Sequence, residues 1–128
     1  TYTGRLPHSK VICKYKEADS FPLPRPFRLY SQAGFPTKLG EYLITGKPVV
    51  TTSTGDIPFY LEDKESAYLV NDGSPDSFAE KVIECIMDKD SSKIGSEGRQ
   101  IAINSFSIES AAARVKQFFL DNANILDR

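Results

Sequence analysis

At 128 residues, with 40% hydrophobic and 26% charged residues, the chain has the size and composition of one globular domain able to bury a core. Its formal net charge of −1 excludes the basic footprint of a nucleic-acid-binding protein, and no apolar run reaches the length of a membrane-spanning helix. Cys13 and Cys85 lie far apart without metal-ligand spacing, so both are expected as buried or half-buried free thiols, and no metal is implied.

In chain order, Tyr2–Gly4 reads as a strand end and a turn. A short helix is expected from Pro7 and Ser9 to about Ala18, with Val11, Ile12 and Tyr15 at helical spacing. His8, the only histidine, falls just before it in a loop or capping position. Ser20–Pro24 is a strand candidate in which Pro22 and Pro24 remove two ladder donors. Arg25–Ala33 reads as a loop carrying Arg25, Arg28, Tyr30 and Gln32. Pro36 suits the first turn of a helix that runs through Leu39, Tyr42 and Leu43 to Gly46, a natural residue to follow a helix end. Val49–Thr52 is β-branched enough for a buried strand.

Ser53–Asp56 is then a turn, Ile57–Leu61 a short helical piece and Ala67–Val70 a short apolar strand closed by Asn71–Gly73. Ser74 and Pro75 open a clear amphipathic helix, with Phe78, Ala79, Val82, Ile83, Ile86 and Met87 on one stripe. After a polar break at Asp88–Ser92 a weaker helix reaches about Asn104. Ser107 caps a last helix whose Ile108, Ala111, Ala112, Val115, Phe118 and Phe119 form a core-like face. Strands separated by helices predict an α/β fold with a parallel sheet and helices on both faces.

The segment Gly34 to Val50 holds the densest functional signal. A glycine-containing loop that feeds a helix N-terminus presents free N–H groups and the positive end of the dipole, a seat for phosphate. The N–H groups of Thr37, Lys38 and Leu39 have the right place in sequence, and Lys38 adds a point charge. Glu41 lies about one turn in, where a carboxylate reaches sugar hydroxyls; an ordinary helix-surface role or a pairing with Lys38 is the alternative. Lys38 is likewise a phosphate contact or a plain surface charge, and Tyr42 and Leu43 belong to the core. Arg25, Arg28 and Tyr30 either line a ligand pocket at the carboxyl end of a strand or are solvated loop residues. Gly55 either permits close backbone approach to a nucleotide or simply makes a turn.

The run Lys–Leu–x–Glu–Tyr–Leu–x–x–Gly–Lys–Pro–Val–Val, from Lys38 to Val50, resembles the donor-site helix of retaining, nucleotide-sugar-dependent glycosyltransferases with two Rossmann-like domains, the GT-B architecture of glycosyltransferase group 1. The order TGRLPHSKV, KEADSFPLP, STGDIP, SAYLVNDGSPDSFAEKV and a C-terminal RVKQFF extends that resemblance over almost the whole chain. It implies a Rossmann-like parallel sheet that forms the latter part of a donor-binding domain. The domain's first strand–helix units, its basic diphosphate-binding pair and the acceptor-binding domain would all lie outside this chain. It further implies donor-nucleotide binding by Gly34, Phe35, Pro36, Thr37, Lys38, Glu41 and Gly55, with Lys38 as the catalytic candidate and no cofactor besides the donor.

In this family a Glu, seven residues and a second Glu straddle the loop and helix. Glu41 matches the second, which binds the ribose, and Ala33 stands where the first would be. The expected function is binding of a nucleoside-diphosphate sugar for transfer, with retention, to a sugar or lipid-linked acceptor. The resemblance implies a cytoplasmic enzyme of polysaccharide biosynthesis, peripheral to the membrane in the complete protein. A sugar-nucleotide epimerase and a non-catalytic nucleotide-binding or interaction module are the alternatives, the latter favoured by Ala33. With the early strands absent, the edge at Phe21–Leu23 is expected either to drive self-association or to leave the N-terminal segment displaced.

Overall fold

The structure, a computed structural model, describes residues 3–122. Its elements follow in order as α1 (His8–Glu17), β1 (Phe21–Leu23), α2 (Leu29–Gln32), α3 (Thr37–Leu43), β2 (Val49–Thr52), α4 (Ile57–Tyr60), β3 (Tyr68–Val70), α5 (Pro75–Met87), α6 (Ser91–Ile101), a π-helical segment (Ala102–Phe106) and α7 (Ile108–Asn122). The three strands form a parallel sheet in the order β1-β2-β3, with Phe21 in register with Val49 and Val50 with Tyr68.

β2 is the middle strand and is buried at all four positions, because it has a neighbour on each side and helices over each face. Successive residues of β2 point to opposite faces, so Val49 and Val50 enter different cores. On one face Val49, Phe21 and Leu69 pack with Leu39 and Leu43 of α3, Ile57 of α4 and Ala102. Tyr15 and Ala18 bring α1 and the segment after it to the same layer. On the other face Val50, Tyr68 and Val70 pack with Cys85 of α5 and Ile94 of α6, flanked by Phe78 and Val82. The expected α/β sheet with helices on both faces is therefore present.

The prolines of β1 explain how the strand survives at an edge. Phe21 N–H donates to Pro48 O at 3.0 Å, so the next residue's N–H direction faces away from β2. Pro22 occupies that position and sacrifices no bond to the sheet. Among the described residues β1 pairs with β2 alone.

Several expectations are corrected. Thr3 and Gly4 lie in no strand, since Gly4 turns the chain at φ +67°; Tyr2 lies outside the described residues. His8 is the first residue of α1 and caps nothing, because Pro7 holds the N-cap position. The supposed loop Arg25–Ala33 contains α2. Pro36 is the N-cap of α3, with ψ 114°, and Thr37 is the first helical residue. Gly46 does follow the end of α3, at φ +75°. Cys13 is exposed, whereas Cys85 is buried and burial pushes its thiol up to about 11.

The two long amphipathic helices deviate most. In α5 Phe78, Val82 and Cys85 face the sheet, while Ile83, Ile86 and Met87 of the expected stripe are exposed. In α7 no residue is buried, and Ile108 is 84% exposed, because the helix packs on the π-helical segment rather than over the sheet. Ser107 does cap it, accepting from Ser110 N–H at 3.1 Å. No helix among the described residues is long and apolar enough to cross a membrane.

α6 crosses against the chain that leaves α3, and two glycines make the approach possible. A Cβ on Gly95 would stand 2.4 Å from Gly46 O, and one on Gly98 would stand 2.5 Å from Ser66 O and 2.8 Å from Leu43 Cδ2. Alanine is the better helix former by about 1 kcal/mol, yet overpacking at such backbone contacts costs about 1–3 kcal/mol. Gly95→Ala is therefore expected to lower the unfolding free energy in chemical denaturation. An unchanged or raised midpoint would show that α6 is not seated against the Gly46–Pro48 backbone.

Candidate functional site

The carboxyl ends of β1 and β2 open side by side, and the loops that leave them are tied together before α3 begins. Arg25 follows β1. Its backbone N–H donates to Thr52 Oγ1 at 2.7 Å, and the same hydroxyl donates to Arg25 O at 2.7 Å, joining the loop to the last residue of β2. The Arg25 guanidinium then reaches along its own loop, with Nη2 donating to Ser31 O and to Gly34 O at 3.2 Å each. Arg25 is thus a partly buried brace for the backbone that enters α3, and neither a solvated loop residue nor a free cation.

The loop after β2 closes the lock from the other side. Gly55 N–H donates to Gln32 Oε1 at 2.8 Å. Gly55 holds φ +58°, and an added Cβ would lie 3.0 Å from Gln32 O and 3.2 Å from Gly34 O. Its close approach is thus to the backbone of residues 31–34, which makes it a positioning element of the site. Arg25 Nε, Ser31 Oγ and Thr54 Oγ1 are buried here without a hydrogen-bond partner among the described residues.

From this lock the chain delivers Gly34, Phe35 and Pro36, all half-buried, to the start of α3. Phe35 anchors the loop through its ring, 5.6 Å from Tyr60 and 5.1 Å from Phe106 between centroids. Leu39 N–H is taken by Pro36 O at 3.0 Å, so the expected trio of free donors shrinks to Thr37 and Lys38, whose N–H groups find no acceptor among the described residues. Both residues are exposed, and Lys38 forms no ion pair among the described residues. Two free N–H groups, a hydroxyl and an ammonium therefore belong to adjacent residues at one helix start, residue types suited to an anion.

Glu41 is exposed one turn further on and pairs with Tyr15, not with Lys38. Tyr15 Oη–H donates to Glu41 Oε2 at 3.1 Å. Burial first and the Glu41 carboxylate second push the Tyr15 phenol up to about 12, so it stays protonated at neutral pH. Beside the pair lies a cleft of about 560 Å³ lined by His8, Ile12, Tyr15, Glu41, Ile44 and Lys47, among others. A larger cleft of about 790 Å³, between α4 and α6, includes Phe59, Glu62, Lys93 and Glu97 and none of the residues named for the site. No group of three or more His, Cys, Asp or Glu side chains gathers to offer a metal ligand set among the described residues.

Tyr15, Gln32 and Thr52 were not legible as site residues, since their contacts span 26, 23 and 27 positions of chain. Arg28 and Tyr30 are exposed, with no side-chain hydrogen bond among the described residues to tie them to the lock.

Comparison with known proteins bears on the family and the fold. The family model "Glycosyl transferases group 1" matches residues 1–88. Trehalose phosphorylase of Pleurotus pulmonarius is 36% identical over 85 residues, which is 66% of this chain and 11% of that protein. Trehalose phosphorylase of Pleurotus sajor-caju is 40% identical over 75 residues, 59% of this chain and 10% of that protein. The chain thus spans about a tenth of the length of these curated relatives. Sucrose-phosphate synthase from Thermosynechococcus elongatus superposes with a TM-score of 0.72 at 20% identity, over 98% of this chain and 30% of that one. HepE from Anabaena, solved in complex with UDP, superposes with a TM-score of 0.69 at 20% identity, over 84% of this chain and 29% of that one. At these identities the structural likeness speaks for the fold.

The brace has a direct test. Arg25→Ala removes two charge-assisted donations to the Ser31 and Gly34 carbonyls, each partly buried. A loss of about 1–3 kcal/mol in unfolding free energy is expected by chemical denaturation. Wild-type stability would show that the guanidinium does not hold the loop.

Proposed function

Because the chain belongs to the group 1 glycosyltransferases, matched over residues 1–88, we propose that it binds the nucleoside diphosphate of a sugar donor at the start of α3. The observation that carries the reading is the pair of unaccepted N–H groups at Thr37 and Lys38, beside the exposed Lys38 ammonium and one turn from Glu41. In this reading the N–H groups, the Thr37 hydroxyl and Lys38 meet the diphosphate, and Glu41 accepts bonds from the ribose hydroxyls. Gly34, Phe35, Pro36 and Gly55 shape the loop against which the nucleotide lies.

Transfer breaks the bond from the anomeric carbon to a phosphate oxygen, and the nucleoside diphosphate leaves with the electron pair. The acceptor hydroxyl bonds to that carbon and loses its proton. Negative charge grows on the leaving group as the bond stretches, so oriented N–H groups and Lys38 lower the barrier by electrostatic preorganisation. Glu41 contributes orientation rather than charge stabilisation. The family resemblance supports retention at the anomeric carbon, and an acceptor presented by a separate domain on the cytoplasmic side. The UDP and UDP-glucose bound to HepE, a protein of the same fold, support a nucleotide-sugar donor.

A second reading has its own support. The curated relatives at 35–40% identity are named trehalose phosphorylases, and a phosphorylase passes a glycosyl group to orthophosphate instead of taking it from a nucleotide. Orthophosphate would then stand where the terminal phosphate of a nucleotide is placed above, and Glu41 would have no ribose to hold. Product formation by the full-length protein separates the two: nucleotide-sugar-dependent transfer supports the first, and phosphate-dependent disaccharide cleavage the second.

Two variants test the residue roles. Glu41→Ala is expected to weaken nucleoside diphosphate binding by about 1–3 kcal/mol in calorimetry, the scale of a charge-assisted hydrogen bond. Unchanged affinity would reduce Glu41 to a surface residue. Lys38→Ala is expected to lower kcat more than it raises KM, because the charge it meets develops toward the transition state. Full turnover with a raised KM would assign Lys38 to ground-state binding.

A further inference from the structure

Tyr15 reaches Glu41 from α1, upstream of the other candidate residues. Its ring is held edge-on against Phe21 at 5.4 Å and 81° and against Tyr42 at 5.4 Å and 84°. Phe21 and Tyr42 themselves stack at 4.5 Å and 12°. Phe21 opens β1 and Tyr42 is the next residue of α3 after Glu41, so the phenol is fixed to the strand and to the helix that frame the site. Glu41, by contrast, is an exposed helix residue whose only side-chain hydrogen bond among the described residues is the one Tyr15 donates to Oε2.

We infer that Tyr15 is a positioning residue for the donor ribose: it holds the Glu41 carboxylate by Oε2 in one rotamer and leaves Oε1 to accept from a ribose hydroxyl. This rests on the ribose role of Glu41 given above. A glutamate held in place loses less side-chain entropy on binding than one that must be ordered by the ligand. The chemistry of the partner matters as much as its position. A lysine at this place would neutralise the carboxylate, whereas a neutral phenol orients it and leaves its negative charge for the ligand. The raised Tyr15 pKa, about 12, keeps that phenol a donor across the neutral range.

Tyr15→Phe keeps the ring and its aromatic contacts and removes only the donor. The test measures binding to the full-length protein by calorimetry with UDP, GDP and ADP, followed by the 2′,3′-dideoxy form of whichever binds best. Tyr15→Phe is expected to weaken the ribonucleotide about three- to tenfold, in line with one lost hydrogen bond, and to leave the dideoxy form unchanged. In a Glu41→Ala background the same change is expected to have no effect. Selective loss in Glu41→Ala alone, with Tyr15→Phe like wild type or lowering both nucleotides equally, would overturn the role of Tyr15. If Glu41→Ala itself leaves ribonucleotide affinity intact, or none of the three nucleotides binds, the ribose reading falls and carries this inference with it.

Discussion

The span of Arg25 from the end of β2 to the Gly34 carbonyl is the contact from which the candidate site is measured. Its backbone is joined to Thr52 in both directions, and its guanidinium fixes the turn into α3. Gly55 closes on that turn through Gln32 with a geometry that tolerates no side chain without movement. A parallel sheet places the carboxyl ends of neighbouring strands together, so two successive loops meet at one edge of the core. Here that meeting is tied by hydrogen bonds from both loops. The start of α3 is consequently held by contacts of the fold itself, the preorganisation that the proposed phosphate site calls for.

Much of this was legible in the sequence wherever local chemistry and burial agree. Val49–Thr52 is β-branched and fully buried, the turn at Gly46 follows α3, and Ser74 caps α5 through Ser77 N–H at 3.4 Å. Periodicity fails in a specific way on α5 and α7. It identifies an apolar face but not the surface that meets it, and of the stripe on α5 only Phe78 and Val82 pack against the core. Ile83, Ile86 and Met87 extend beyond the covered arc, and Phe118 and Phe119 lie on a helix with no strand beneath it among the described residues.

The candidate residues divide along the same line. Glu41, Lys38 and Gly34 are close in sequence, and a helix start with a glycine-bearing loop before it is a local pattern. Arg25, Gln32, Thr52 and Tyr15 act over more than twenty positions of chain, through contacts that no spacing rule encodes. Leu39 illustrates the limit within the motif itself. Residue type suggests three free donors at the helix start, and a single tight turn to the Pro36 carbonyl removes one of them. Ala33, at the place of the family's first glutamate, is the C-cap of α2 and brings no carboxylate to the loop.

The central claim is that the amides at the start of α3 receive the phosphates of the donor. The most direct measurement is a titration of the 15N-labelled protein with UDP, GDP and ADP, following backbone amide shifts. The account predicts that one of these nucleotides moves the Thr37 and Lys38 amides most, with Gly34 and Glu41 following at the same concentrations. Shifts confined to the cleft lined by Phe59, Glu62, Lys93 and Glu97, with Thr37 and Lys38 unmoved, would contradict it.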